Sequence, residues 1–326
     1  MSKQLDPKAR LLMDIVARAA APALHTLDVA RARDETRKMH LYFGPEAPAV
    51  GAVRDLAIAR DDGDGSIPAR FYRPAAAAAA ERLPLLVFFH GGGWTVGDLD
   101  SYDVLCRTLA NQARCAVLSV DYRLAPEHPF PAAVDDAYAA TRWAHRCSEQ
   151  LGIDPARIAV GGDSAGGNLA TVVALLARDR GAPPIVFQLL VYPATDMCSE
   201  RPSQRQFGRG YLLELEAIRY FQHKYLAHAR DYRDWRASPL LRDELAGSPP
   251  ALIVTAGFDP LVDDCIAYAD RLREAGVDVE YRCFDGMIHG FLTLGKMFAD
   301  SGLAIELAAR ALARAFGTQS AAAAAA

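Results

Sequence analysis

Gly162-Asp163-Ser164-Ala165-Gly166 is a G-x-S-x-G segment between a strand-like apolar run and a helix-like one. A serine hydroxyl acts as a nucleophile when a tight turn holds it, and glycines two residues to either side remove side chains that would collide there. A second segment, His90-Gly91-Gly92-Gly93-Trp94, places three glycines directly after the apolar run Leu85–Phe89. Such a loop leaves backbone N–H groups bare for a developing oxyanion. The donors expected are those of Gly91, Gly92 and Ala165, the last directly after the serine. His90 itself reads as a structural histidine bonded to the loop backbone.

A serine at neutral pH needs a base, and the base needs a carboxylate to fix its tautomer. Of eight histidines, His25 and His40 lie in a helical N-terminal region and His145, His223 and His228 on predicted helices. His128 sits in a proline-stiffened loop. His289 follows a strand, in Asp285-Gly286-Met287-Ile288-His289-Gly290-Phe291, where a parallel sheet presents its ligand-binding edge. Asp259 comes soonest after the preceding strand and is the carboxylate expected to face it. Asp263 and Asp264 fall at the start of the next helix and are expected to cap it. Asp285 stands too near its histidine in the chain to orient it.

The elements that must position these groups alternate. Strands are predicted at Val53–Ala59, Ile67–Tyr72, Leu85–Phe89, Ala116–Asp121, Arg157–Gly161, Ile185–Tyr192, Ala251–Ala256 and Val279–Phe284. Helices are predicted at Pro131–Cys147, Ala165–Ala177, Asp264–Ala275 and Gly302–Phe316, the third closed by Gly276. This order implies an α/β fold with a mainly parallel sheet covered on both faces. Residues 197–235 show no strand, and Glu214–Ala227 reads as a helix; this insertion is expected above the sheet with the N-terminal helices. The Asp61–Ser66 turn looks like a calcium loop, but if Gly65 were its sixth position, Arg60 and Phe71 would occupy its first and twelfth, so it reads as a hairpin.

Composition excludes several classes. The chain has 326 residues, 51% hydrophobic and 23% charged, and its formal charge is 36 − 40 = −4. That is globular, with no basic surplus for nucleic acid. Six cysteines without a C-x-x-C pair indicate thiols of a reducing compartment, and no metal site is expected. The charged start Met1–Asp6 is no export signal, and no apolar run is long enough for membrane insertion. A cytoplasmic location is expected. Arg201, Arg205 and Arg209 read as a solvated face. Ala75–Ala80 reads as a connector, and Ala321–Ala326 as a disordered tail.

From about residue 50 to residue 300, the chain resembles the bacterial hormone-sensitive-lipase-like carboxylesterases (family IV) of the α/β-hydrolase fold. The matching segments are His90-Gly91-Gly92-Gly93, Asp121 through Ala132 (DYRLAPEHPFPA), Gly161 through Asn168 (GGDSAGGN), Asp259 through Asp264 (DPLVDD) and Gly286 through Phe291 (GMIHGF). The chain order Ser164, Asp259, His289 is also that of this fold. The resemblance implies an eight-stranded mixed sheet with a helical cap. Residues 1–50 and 197–235 would form the cap, and residues 51–196 and 236–320 the core. It further implies cofactor-free hydrolysis of a small-molecule ester with a short to medium acyl chain, and a homodimer. Trp94 replaces a more usual Phe or Tyr, and Asp264-Cys265 a more usual Glu-Gly. Trp94, Tyr192 and Phe207 are expected at the substrate pocket. Two alternatives share the fold: an amidase or aryl-formamidase on the same triad, and a non-catalytic small-molecule receptor. The receptor requires loss of the base, whereas Ser164, Asp259 and His289 are all present.

Overall fold

A computed structural model describes residues 4–19, 22–60, 63, 65–78 and 80–318. The strands are β1 (Ala52–Ala59), β2 (Ser66–Arg73), β3 (Leu83–Phe89), β4 (Ala116–Val120), β5 (Ile153–Asp163), β6 (Phe187–Val191), β7 (Ala251–Phe258) and β8 (Val279–Ile288). They form one sheet in the order β1-β2-β4-β3-β5-β6-β7-β8, and only β2 runs against the others. The helices are α1 (Pro7–Arg18), α2 (Val29–Phe43), α3 (Asp103–Ala113), α4 (Ala132–Arg146), α5 (Ser148–Leu151), α6 (Ala165–Arg180), α7 (Pro202–Phe207), α8 (Leu215–Tyr225), α9 (Val262–Glu274) and α10 (Ala299–Phe316).

Strand pleat divides the core in two. Leu85, Val87 and Phe89 of β3 point into one apolar cluster with residues of α4, α6 and α9, while Leu86 and Phe88 point into another with α3 and α10. Every residue of β3 and β7 is buried, as strands covered on both faces must be. Each large side chain so enclosed stabilises the fold by roughly 1.5–3 kcal/mol. α6 is buried from Ala165 through Ala177, so the helix that follows Ser164 is locked between the sheet and α4.

Several elements differ from expectation. α3 was not predicted; Leu105, Cys106, Leu109, Ala110 and Ala113 carry its buried stripe, but no side chain caps its start. The insertion holds a short helix, α7, besides α8. β8 runs on to Ile288, so His289 directly follows the strand end. β1 and β2 form the expected hairpin, paired from Ala52/Arg73 to Ala59/Ser66, although part of its turn lies outside the described residues. The Ala321–Ala326 tail lies outside them as well. At the N-terminus, Asp6 caps α1 through its side chain and donates its own N–H to Gly286 O of β8. No helix among the described residues is long and apolar enough to cross a membrane.

Candidate active site

Ser164 joins the end of β5 to the start of α6 with φ 53° and ψ −117°, a conformation costing about 1–3 kcal/mol for a non-glycine residue. Its surroundings impose that conformation. The Ser164 N–H donates to Val191 O (2.9 Å), and its carbonyl accepts from the N–H groups of Asn168 (3.0 Å) and Ala194 (3.2 Å). The flanking glycines are steric necessities: a Cβ on Gly162 or Gly166 would run into the Phe89 carbonyl of β3. The turn can therefore press against β3 and raise its serine, partly exposed, above a buried floor.

His289 Nε2 lies 3.0 Å from Ser164 Oγ, and His289 Nδ1 lies 2.7 Å from Asp259 Oδ2. Asp259 is fully buried just past β7, where its other oxygen accepts from the Leu261 N–H at 2.8 Å. With the proton on Nδ1 facing the carboxylate, the Nε2 lone pair faces the serine hydroxyl. The Tyr192 ring packs against the imidazole at 4.5 Å between centroids. The structure thus brings Ser164, Asp259 and His289 into one hydrogen-bonded line.

The neighbouring carboxylates are used differently, and two correct the expectation of helix caps. No side chain caps α9. Asp263 accepts from the Ser203 N–H of α7 (2.8 Å), and Asp264, fully buried, has Arg201 Nε 2.6 Å from its Oδ1. At that distance the two opposite charges attract. Burial outweighs that attraction and pushes the Asp264 carboxyl up to about 7. Arg201 is accordingly no member of a solvated face. It ties the insertion to the segment that carries Asp259.

The glycine loop also requires a correction. The Gly91 N–H is already engaged, 2.8 Å from Asp163 Oδ1 and 3.0 Å from the Tyr102 hydroxyl oxygen. Tyr102 in turn donates to Asp163 Oδ2 (3.0 Å). Gly91 is therefore an anchor. Gly92 and Gly93 border the cavity above Ser164, and their N–H groups make no hydrogen bond among the described residues. Burial pushes the Asp163 carboxyl up to about 6, opposed by the Tyr102 hydroxyl, His289 and the Gly91 N–H. His90 holds the same loop from beneath: its Nδ1 faces Gly91 O (2.8 Å), its ring stacks on Tyr122, and the Tyr122 hydroxyl donates to His90 O (2.7 Å).

A cavity of about 170 Å³ opens over Ser164, Ala165 and His289. Trp94 borders it, as expected, its indole stacked on Tyr225 at 4.4 Å. Tyr192 and Phe207 do not. Tyr192 lies behind His289, and Phe207 packs against Phe258 and Tyr211. The walls come instead from α2, through Thr36, Met39 and His40, and from α8, through Ile218, Phe221 and Gln222.

A model of the α/β-hydrolase fold family matches residues 86–293. Among curated relatives, the carboxylic ester hydrolase LipN of Mycobacterium tuberculosis is 52% identical over 75% of this chain and 65% of its own length. The ethyl acetate hydrolase of Pseudomonas putida is 40% identical over 95% of this chain and 98% of its own. A solved ester hydrolase from the metagenome of Lake Arreo, complexed with a bipyridine phosphonate derivative, superposes with a TM-score of 0.92 at 42% identity, covering 96% of this chain and all of the other. The chain belongs to the hormone-sensitive-lipase-like carboxylesterases of the α/β-hydrolase fold.

In this carboxylesterase the wall of the cavity was the least legible part. Thr36, Met39 and His40 follow the helical spacing of three and four that puts one face of α2 over the site, but nothing in the chain pairs α2 with α8. What holds α2 over the site is likewise distant in sequence. Arg33 reaches from α2 to both carboxylate oxygens of Glu127 (2.6 and 2.9 Å) and to the carbonyls of Thr95 and Ala125. Arg37 pairs with Asp98 (3.2 Å) and Asp100.

Proposed function

We propose that this chain is a serine carboxylesterase working through an acyl-enzyme, with Ser164 as nucleophile, His289 as base and Asp259 as its orienting carboxylate. The observation that carries the reading is the continuous line of contacts from Ser164 Oγ through the imidazole to a fully buried carboxylate. Ser164 Oγ attacks the ester carbonyl carbon while its proton passes to His289 Nε2. Asp259 stabilises the imidazolium, and its tie to the Leu261 N–H keeps it aimed. The former carbonyl oxygen, now negative, is received by the N–H groups of Gly92, Gly93 and Ala165, with Gly93 taking the place first expected of Gly91. Collapse expels the alcohol, protonated by His289. Water then attacks the acyl-serine, giving its proton to His289, and the acid leaves as Ser164 Oγ regains a proton.

A cavity of about 170 Å³ under helices α2 and α8 favours short to medium acyl groups. We assign residues 1–50 and 197–235 to the cap, and the remainder through residue 320 to the core. All six cysteines are thiols, in keeping with a cytoplasmic enzyme. A homodimer remains the expectation, measured by sedimentation equilibrium. The test of function is turnover of p-nitrophenyl esters from acetate to palmitate. Activity should peak at the short acyl chains and disappear in Ser164→Ala. A Ser164→Ala enzyme with the wild-type rate, or better turnover of palmitate than of butyrate, would overturn the reading. Matched anilides should react more slowly than the esters.

A further inference from the structure

His40, in the last turn of α2, stands between two cavities. One is the catalytic cavity. The other, about 360 Å³, lies among the end of α2, α3 and α10, with apolar walls from Leu41, Val104, Leu105, Leu292, Phe298 and Ile305. Among the described residues, only His40 and Thr293 border both. Thr293 follows His289 by four residues, so the second cavity begins beside the reacting centre.

The imidazole of His40 is an unusual partition. Its Nδ1 is buried and has no hydrogen-bond partner among the described residues. Its ring instead meets Tyr102 edge to face, with centroids 5.5 Å apart. Burial lowers its basicity to about 4, so at neutral pH it is an uncharged ring. A buried polar atom left unpaired disfavours the conformation that buries it and calls for an explanation. Here the explanation is position: the ring stands, with Thr293, where the two cavities adjoin.

We propose that His40, with Thr293, is the specificity-determining partition that ends the acyl site and keeps the distal methylenes of a medium-chain acyl group out of the cavity behind it. With the ring in place, a short acyl chain fills the available room. Without it, a chain of about eight to twelve carbons passes into the apolar space between α3 and α10, each buried methylene adding a factor of about four to kcat/KM. This inference rests on the serine-esterase reading of the same site.

The experiment compares kcat/KM for p-nitrophenyl decanoate and butyrate in wild type, His40→Ala, Val104→Phe and the double variant. His40→Ala should raise the decanoate-to-butyrate ratio roughly tenfold or more. Adding Val104→Phe, which fills the second cavity from α3, should return the ratio to the wild-type value. His40→Phe, which keeps a ring in the partition, should hold that value too, and His40→Val serves if the alanine variant does not fold. An unchanged ratio in His40→Ala, or a gain that survives Val104→Phe, overturns the proposal. Failure of the underlying reading looks different: the wild-type enzyme would then turn over neither ester.

Discussion

Replacing Asp163 with asparagine separates the cost of burying this carboxylate from the work it does. Asp163 is fully enclosed beneath the glycine loop, where it accepts from the Gly91 N–H and the Tyr102 hydroxyl. Burial raises its carboxyl from 3.8 to about 6, so the folded chain keeps this proton over a pH range in which the unfolded chain has released it. The sign follows from linkage: the stabilising contribution is fully present below about pH 4 and is lost as pH rises through about 6. The size is (6 − 3.8) × 1.36, or about 3 kcal/mol. Asparagine cannot titrate. Its unfolding free energy, minus that of wild type, should therefore rise by up to about 3 kcal/mol between pH 4 and pH 7, whatever its value at either end. Its side-chain oxygen can still accept from Gly91, but as a neutral acceptor worth about 1–2 kcal/mol less, so kcat/KM should fall by roughly tenfold. Urea unfolding followed by tryptophan fluorescence at several pH values, with butyrate turnover alongside, measures both. A difference in stability that stays constant across this range would refute the argument.

Three further outcomes are expected. Asp259→Asn should fold normally yet lose up to about 10⁴-fold in kcat, because the imidazole is then held in the wrong tautomer, whereas Asp285→Asn should leave kcat near wild type; steady-state kinetics compare them. Gly93→Ala should lower kcat by about 10²–10³-fold, since a Cβ at φ 57° would strike the Phe221 ring and displace an oxyanion donor, and Phe221→Ala should restore part of the loss. Arg201→Ala should destabilise the enzyme at pH 8 by about 1–2 kcal/mol, because the buried Asp264 loses its partner and takes up a proton instead, and adding Asp264→Asn should recover most of that in urea melts.

What could be read from the chain depended on how locally each feature is encoded. The turn at Ser164 was legible because its glycines answer a steric demand made within a few residues and by the adjacent strand. The histidine and its carboxylate could be placed because both stand where strands end, and parallel strands deliver such ends to one edge. Which glycine N–H faces the cavity was not legible, since it is decided by Asp163 and Tyr102 meeting Gly91 from 72 and 11 residues away. Tyr192 is expected at the pocket, but it stands just past β6 with its ring packed against His289 and away from the cavity. Arg201 looked solvated within a run of spaced arginines, and its partner Asp264 is distant in sequence. Helix α3 was missed because no cap marks its start, although its buried stripe was present in the sequence.

The account turns on Ser164 being the atom that carries the acyl group, and covalent labelling tests this most directly. The enzyme is treated with a fluorophosphonate, residual butyrate hydrolysis is followed, and the modified peptide is identified by mass spectrometry. One adduct per chain on Ser164, forming in step with complete loss of activity and absent from His289→Ala on the same timescale, is the predicted result. An adduct on another residue that accounts for the inactivation, or full labelling of Ser164 with hydrolysis intact, would contradict the account.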